Sequence, residues 1–217
     1  MMTGFIRKLF SRCCLGCGVA TDGENVIMCE KCEKEMKDTP PLETMRITSA
    51  VSYSTEQAKK LIHHMKRFND AEVFAYSAEL IYEKLCDKGL DETLSDYYIT
   101  YAPRNPVTFL LKRFDQSKEI ADYLSYLLYG EEEKRVISLF KRKIFTTEQK
   151  KLGSVGRVLN AKNIFSIKRN VNIPEKLIIV DDITTTGSTL LTLRDIAQGA
   201  GVGECMLCTV ALNDSRN

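Results

Sequence analysis

One segment constrains this chain more than any other. Leu177-Ile178-Ile179-Val180 is wholly apolar and runs straight into Asp181-Asp182, then Ile183-Thr184-Thr185-Thr186-Gly187-Ser188-Thr189, then a helical pattern over Ser188 to Gln198. A short apolar run bounded by turn-forming residues reads as a buried strand. A buried strand feeding a helix is the unit of a mostly parallel α/β sheet. In such sheets ligands sit beyond the carboxyl ends of the strands, where this chain places two acids and a loop of small hydroxyl residues. Adjacent carboxylates there can accept hydrogen bonds from a vicinal diol such as the 2′- and 3′-hydroxyls of a ribose. The loop offers backbone N–H groups and hydroxyls at a helix N-terminus, which suits an anion. The helix dipole contributes roughly 0.3–1 kcal/mol, and each hydrogen bond to a charged group about 1.5–3 kcal/mol. Donors converging from Thr185, Thr186, Ser188 and Thr189 would therefore dominate, and Gly187 lets the backbone approach closely or take positive φ.

Either half of this pattern also fits a plain structural role, a capped helix after a buried strand with Asp181 and Asp182 as solvated turn residues. The combination is the specific signal. No GxxxxGK[S/T] precedes the acids, which excludes the P-loop nucleotide-triphosphatase reading. Gly199, Gly201 and Gly203 follow a helix and open no other, so they form no dinucleotide fingerprint.

The rest of the chain fits the same architecture. Strands are expected over Ile47 to Tyr53, Tyr97 to Ala102, Val136 to Phe140, Leu177 to Val180 and Glu204 to Ala211. Helices are expected over Glu56 to Arg67, Ala71 to Leu85, Ser117 to Tyr129 and Ser188 to Gln198, from apolar residues at helical spacing. Residues 141–162 are basic and weakly periodic, and read as a mobile loop. With 217 residues, 44% of them hydrophobic and 28% charged, the chain can bury one substantial α/β core with a small appendage. A net charge of +2 argues against a dedicated nucleic-acid coat protein, though local basic patches remain open. No apolar run nears the roughly 20 residues of a membrane span, and Arg12 interrupts the N-terminal apolar stretch. A cytoplasmic protein is expected.

Eight cysteines in a reducing compartment point to metal binding or burial before disulfides. Cys14-x-x-Cys17 and Cys29-x-x-Cys32 are two pairs whose four thiolates suit tetrahedral zinc, with reduced structural cysteines or an iron site as alternatives. Cys13 could substitute for Cys14. A unit of about 40 residues buries too little surface to fold unaided, so a metal would decide its folding. The boundary is drawn at Pro40-Pro41, giving units 1–40 and 41–217. Four cysteines leave no open catalytic position, so the unit is structural or partner-binding. Cys205 and Cys208 lie on an expected strand, pointing to opposite faces, and read as buried rather than chelating. His63-His64 has no carboxylate at a telling spacing and is set aside.

Val180 to Thr189 resembles the phosphoribosyl-pyrophosphate (PRPP) motif of type I phosphoribosyltransferases. With the cysteine unit in front, the chain resembles the ComF family of competence-associated phosphoribosyltransferase-like proteins. Phe114-Asp115-Gln116-Ser117 at a helix start, Gln149, and Arg157-x-x-Asn160 followed by Phe165 add to the resemblance. It implies a type I phosphoribosyltransferase fold, a mostly parallel sheet flanked by helices, with a small N-terminal zinc-binding module. It implies PRPP held by Asp181, Asp182, Thr184, Thr185, Thr186, Gly187, Ser188, Thr189 and Arg157, with Mg²⁺, and chemistry assigned to Asp181, Asp182 and Arg104. Arg104, in the Ala102-Pro103-Arg104 turn, would be the cation for pyrophosphate, and the 141–162 loop would close with Arg142 or Arg157. A competence helicase and single-stranded DNA are implied neighbours. Where the family usually has basic residues and a glycine, this chain reads Asn105-Pro106-Val107-Thr108-Phe109-Leu110-Leu111-Lys112-Arg113. That departure keeps a second reading in view, a non-catalytic adaptor of the DNA-uptake machinery.

Overall fold

The computed structural model describes residues 13–21, 26–41, 47–143 and 164–213. In chain order the elements are helix α1 (Glu30–Lys37), strand β1 (Ile47–Ser52), α2 (Glu56–Arg67), α3 (Ala71–Asp87), a 3-10 turn (Asp91–Leu94) and β2 (Tyr98–Tyr101). Then follow α4 (Pro106–Lys112), α5 (Gln116–Tyr129), β3 (Phe140–Arg142), β4 (Phe165–Ile167), β5 (Lys176–Thr184), α6 (Ser188–Gly199) and β6 (Glu204–Leu212). Four strands form one sheet in the order β1-β6-β5-β2. Every pairing in it is parallel. β3 and β4 form a separate antiparallel pair.

The strand alternation sorts β5 and β6 onto two faces. Ile178, Val180, Cys208 and Val210 face one cluster, with Leu61, Ile62 and Met65 of α2, Phe74 and Ile81 of α3, and Ile120 and Leu124 of α5. Leu177, Ile179 and Leu207 face the other, with Leu190, Leu193 and Ala197 of α6. Each fully buried aliphatic side chain of this size contributes about 1.5–3 kcal/mol relative to exposure. Helix starts follow local chemistry: Thr55 caps α2 by accepting from the Ala58 N–H at 3.2 Å, and Gly130 ends α5 at φ 80°. The expected mostly parallel sheet flanked by helices is therefore present.

Five local expectations change. β5 does not stop at Val180 but carries Asp181 and Asp182 within the ladder as far as Thr184. Val136 makes only an isolated bridge to Ile99, and the hydrogen-bonded strand begins at Phe140, because the Leu139 N–H meets the Thr100 hydroxyl instead of a ladder carbonyl. Residues 106–112, given no structure from the sequence, form α4 behind an Asn105 cap whose side chain accepts from the Val107 N–H. α1 was likewise not anticipated. Of the 141–162 loop, Lys141 and Arg142 belong to β3, and residues 144–163 lie outside the described residues. Cys205 and Cys208 do fall in opposite clusters.

Candidate functional site

Asp181 and Asp182 sit near the carboxyl end of β5, a central strand. β2 lies beside them: Tyr101 pairs with Val180, and the Ala102 N–H donates to Val180 O at 2.9 Å. The Ala102-Pro103-Arg104 turn and the two acids thus share one edge of the sheet.

The start of α5 braces both acids. The Gln116 amide donates to Asp182 Oδ2 at 2.9 Å, and the Ser117 hydroxyl to Asp181 Oδ1 at 3.2 Å. The Asp182 N–H also donates to Asp181 Oδ1, and the Ile183 N–H to Asp182 Oδ1. From α2, Lys66 Nζ stands 3.8 Å from Asp182 Oδ2. Burial pushes the Asp181 carboxyl well above the usual carboxylate range, and the neighbouring Asp182 charge pushes the same way. The Asp182 N–H and the Ser117 hydroxyl pull against them. Two carboxylates under this strain favour a ligand that brings hydrogen-bond donors or a cation.

The loop after the acids is shaped by its own hydroxyls. Thr184 is buried, and its Oγ1 accepts from the Gly187 N–H at 3.1 Å. The Ser188 N–H points to Thr186 Oγ1 at 3.4 Å. Gly187 holds φ 72°, and a Cβ there would lie 2.5 Å from Ile47 Cδ1. Thr185, Thr186 and Ser188 are exposed and Thr189 is half-buried. The loop therefore presents three open hydroxyl residues at the N-terminus of α6, while Thr184 shapes the turn from within.

Arg104 is tied to the segment opening α5. Its N–H donates to Asp115 Oδ2 at 3.1 Å, its Nη1 to Phe114 O at 2.9 Å, and its guanidinium lies 5.2 Å from the Phe114 ring centre. Burial pushes the Asp115 carboxyl up, and the Arg104 N–H counters it. Arg104 also lines a cavity of about 510 Å³ with Phe109, Leu110, Lys141, Arg142 and Lys168. Arg157, Gln149 and Asn160 lie outside the described residues.

The sequence quoted Phe114-Asp115-Gln116-Ser117 as a family-like motif and gave it no role. In the structure these four residues join the Arg104 turn to the acid pair. Lys66 carried no signal, because nothing local to a helix says what its last turn will meet. His64 does have a carboxylate partner: its Nε2 is 3.1 Å from Asp70 Oδ2, across the junction of α2 and α3.

The second site is the cysteine cluster. The Sγ atoms of Cys14, Cys17, Cys29 and Cys32 all lie within 4.8 Å of one another. A tetrahedron with metal–sulfur bonds near 2.3 Å needs sulfurs about 3.8 Å apart, and Cys17 and Cys29 are at 3.8 Å. Cys13 is exposed, bridges to Ala20 and stands outside the group. Burial pushes the Cys14 thiol up, but the Cys29 and Cys17 backbone N–H groups and the neighbouring thiols bring it down to about 6. Burial, hydrogen bonds to the other three thiols and the Cys14 charge push Cys32 to about 12. Cys14 is thus drawn toward ionisation and Cys32 away from it, as suits sulfurs crowded together where a cation would relieve them. A Cβ on Gly16 would lie 2.8 Å from Cys32 Sγ, so the turn between the first two cysteines needs glycine. These four cysteines are positioned to bind a metal.

No protein-family model matches the chain. No curated protein matches it either. Among solved structures, it resembles a purine phosphoribosyltransferase from Pyrococcus horikoshii Ot3, with TM-score 0.35, 17% identity, and coverage of 77% of this chain and 78% of that one. It also resembles a hypoxanthine phosphoribosyltransferase from Staphylococcus aureus, with TM-score 0.35, 12% identity, and coverage of 66% and 67%. No helix among the described residues is long and apolar enough to cross a membrane.

Proposed function

We propose that the chain is a phosphoribosyltransferase-like protein that binds PRPP with Mg²⁺ and transfers the phosphoribosyl group to an acceptor, releasing pyrophosphate. One observation carries this reading: the adjacent acids Asp181 and Asp182 lie near the carboxyl end of a central parallel strand, are braced by α5, and lead through Ile183 and Thr184 into the Thr185–Thr189 loop at the N-terminus of α6. In this role Asp181 and Asp182 accept from the ribose 2′- and 3′-hydroxyls. Backbone N–H groups and hydroxyls from Thr185 to Thr189 hold the 5′-phosphate, with Thr184 fixing the turn. Arg104 leaves Phe114 to meet the pyrophosphate, and the 141–162 loop closes over the site with Arg142 or Arg157. Mg²⁺ bound with PRPP would supply charge neutralisation for the pyrophosphate. Zinc is the metal assigned to Cys14, Cys17, Cys29 and Cys32, because four thiolates around a tetrahedral centre suit it. The resemblance to the ComF family extends the proposal to DNA uptake.

Calorimetric titration with PRPP and Mg²⁺ tests the site. Asp181→Asn with Asp182→Asn keeps shape and removes two charges. Each lost charged hydrogen bond costs about 1.5–3 kcal/mol, roughly tenfold or more in affinity per residue. Binding by the double variant at wild-type affinity, or no binding by the wild type, would overturn the reading.

A second reading has its own support in α4. All seven of its residues remain unburied, Leu110 and Leu111 being 78% and 80% exposed, where the family pattern places basic residues. An apolar helix surface in place of cations weakens pyrophosphate binding and suits partner contact. In this reading the protein is an adaptor of the DNA-uptake machinery that meets a helicase or single-stranded DNA. A double acid variant that loses PRPP yet fully supports DNA uptake in cells would favour the adaptor.

A further inference from the structure

Two donors from two different helices converge on a single oxygen of Asp182. The Gln116 amide reaches Oδ2 at 2.9 Å from the first residue of α5, and the Lys66 ammonium stands 3.8 Å from the same atom at the end of α2. Gln116 is buried, and its own Oε1 meets no donor. A buried acceptor without a donor destabilises a fold. Turning the amide over would aim that carbonyl at a carboxylate, so Asp182 fixes its orientation. The buried amide is thus oriented with its N–H toward Asp182.

The helix that carries Lys66 is held at several points. In the first half of α2, Lys60 Nζ donates to Gly16 O inside the cysteine turn, and the Gln57 amide donates to Glu35 Oε2 of α1 at 2.6 Å. From α4, Lys112 Nζ donates to the Lys66 carbonyl. Lys66 is the lysine that the described residues pair with the acids. Its side chain is 42% exposed, so it stands at the mouth of the site while Gln116 works from within.

We propose that Lys66, together with Gln116, is a positioning residue of the acid pair: it offsets the second of two adjacent carboxylates and holds Asp182 in line for a ligand's diol. The proposal rests on the PRPP reading for its ligand. α2 then carries two duties, seating the cysteine turn at one end and the acid site at the other.

The test compares wild type, Lys66→Met, Lys66→Arg and Gln116→Leu by calorimetric titration with PRPP and Mg²⁺. Thermal unfolding of Lys66→Met, Asp182→Asn and the double variant runs alongside. Lys66→Met is expected to bind PRPP about tenfold more weakly, Lys66→Arg to recover most of that loss, and Gln116→Leu to lose at least as much as Lys66→Met. A residue that served only as packing would not be rescued by the conserved charge. In the unfolding cycle, the melting shift caused by Lys66→Met should shrink when residue 182 is Asn. Wild-type affinity in Lys66→Met, binding by Lys66→Arg as weak as by Lys66→Met, or additive melting shifts overturns the proposal. If the wild type binds no PRPP, the functional reading fails, and the unfolding cycle alone decides the clamp: coupled shifts keep it, additive shifts remove it.

Discussion

Gly187 fills a position where a side chain is strained. Its φ of 72° disfavours any other residue, and a Cβ would press within 2.5 Å of Ile47 Cδ1. Gly187→Ala is expected to cost about 1–3 kcal/mol, read from urea unfolding, and to reshape the loop that would hold a phosphate. Asp181 makes an opposite prediction. Its carboxyl is raised in the fold by burial and by the Asp182 charge, above the unfolded value near 3.9. A raised acid stabilises the fold fully only below its unfolded value, and that stability is lost as pH rises through the folded value. At neutral pH its ionisation therefore opposes folding. Asparagine keeps the acceptor that meets Ser117 and the Asp182 N–H. Asp181→Asn is expected to raise the melting temperature at pH 7, with the gain shrinking toward pH 4, and to weaken PRPP binding. Melting curves of both proteins across that range check the sign.

Among the elements, α4 and the cysteine unit show most clearly what sits in local sequence and what does not. Cys14-x-x-Cys17 and Cys29-x-x-Cys32 declare their purpose by spacing, and the four sulfurs do assemble. α1, which carries Cys32, was not anticipated, because a short polar segment with two inward residues, Cys32 and Met36, has too little periodicity to stand out. α4 is hidden for the reverse reason: none of its apolar residues is buried, so no core-facing stripe marks it. Replacing Leu110 and Leu111 with Lys and Glu should leave unfolding free energy within about 0.5 kcal/mol and reduce self-association, measured by denaturant unfolding and light scattering. A loss of stability well beyond that would mean the helix is covered by something within the chain.

At the scale of the molecule, the cysteine unit is not a bead on a string. Cys14, Ile27, Met28, Cys32 and Met36 share one apolar cluster with Leu61, Ile62, Met65 and Phe74, and α1 packs on α2 and β1. Structural zinc sites contribute roughly 10–16 kcal/mol in small peptides, and a metal held by these four cysteines would act on a shared core. Chelation, or Cys29→Ser with Cys32→Ser, is therefore expected to lower one cooperative melting transition of the whole chain. A separate small transition, with the main one unmoved, would show an independent module.

Much of the architecture was legible because it rests on periodicity. The helical spacing of Leu61, Ile62 and Met65 in α2 and the wholly apolar run Leu177 to Val180 each state what must be buried, and burial dictates the element. Val136 to Phe140 misled for the same reason: it is apolar enough for a strand, but the Thr100 hydroxyl takes the hydrogen bond a ladder would need. By itself the sequence determined the parallel α/β sheet, the strand that delivers Asp181 and Asp182 to its carboxyl end, and the cysteine pairs, since each depends on residues close together in the chain. Tertiary structure alone decided what surrounds them. Gln116, Ser117 and Lys66 reach the acids only because α2 and α5 are pressed onto the same face of the sheet by their buried leucines and isoleucines. Hydrophobic packing is non-directional, so the sequence can say that those helices will be buried without saying which polar residue at their ends will meet which acid.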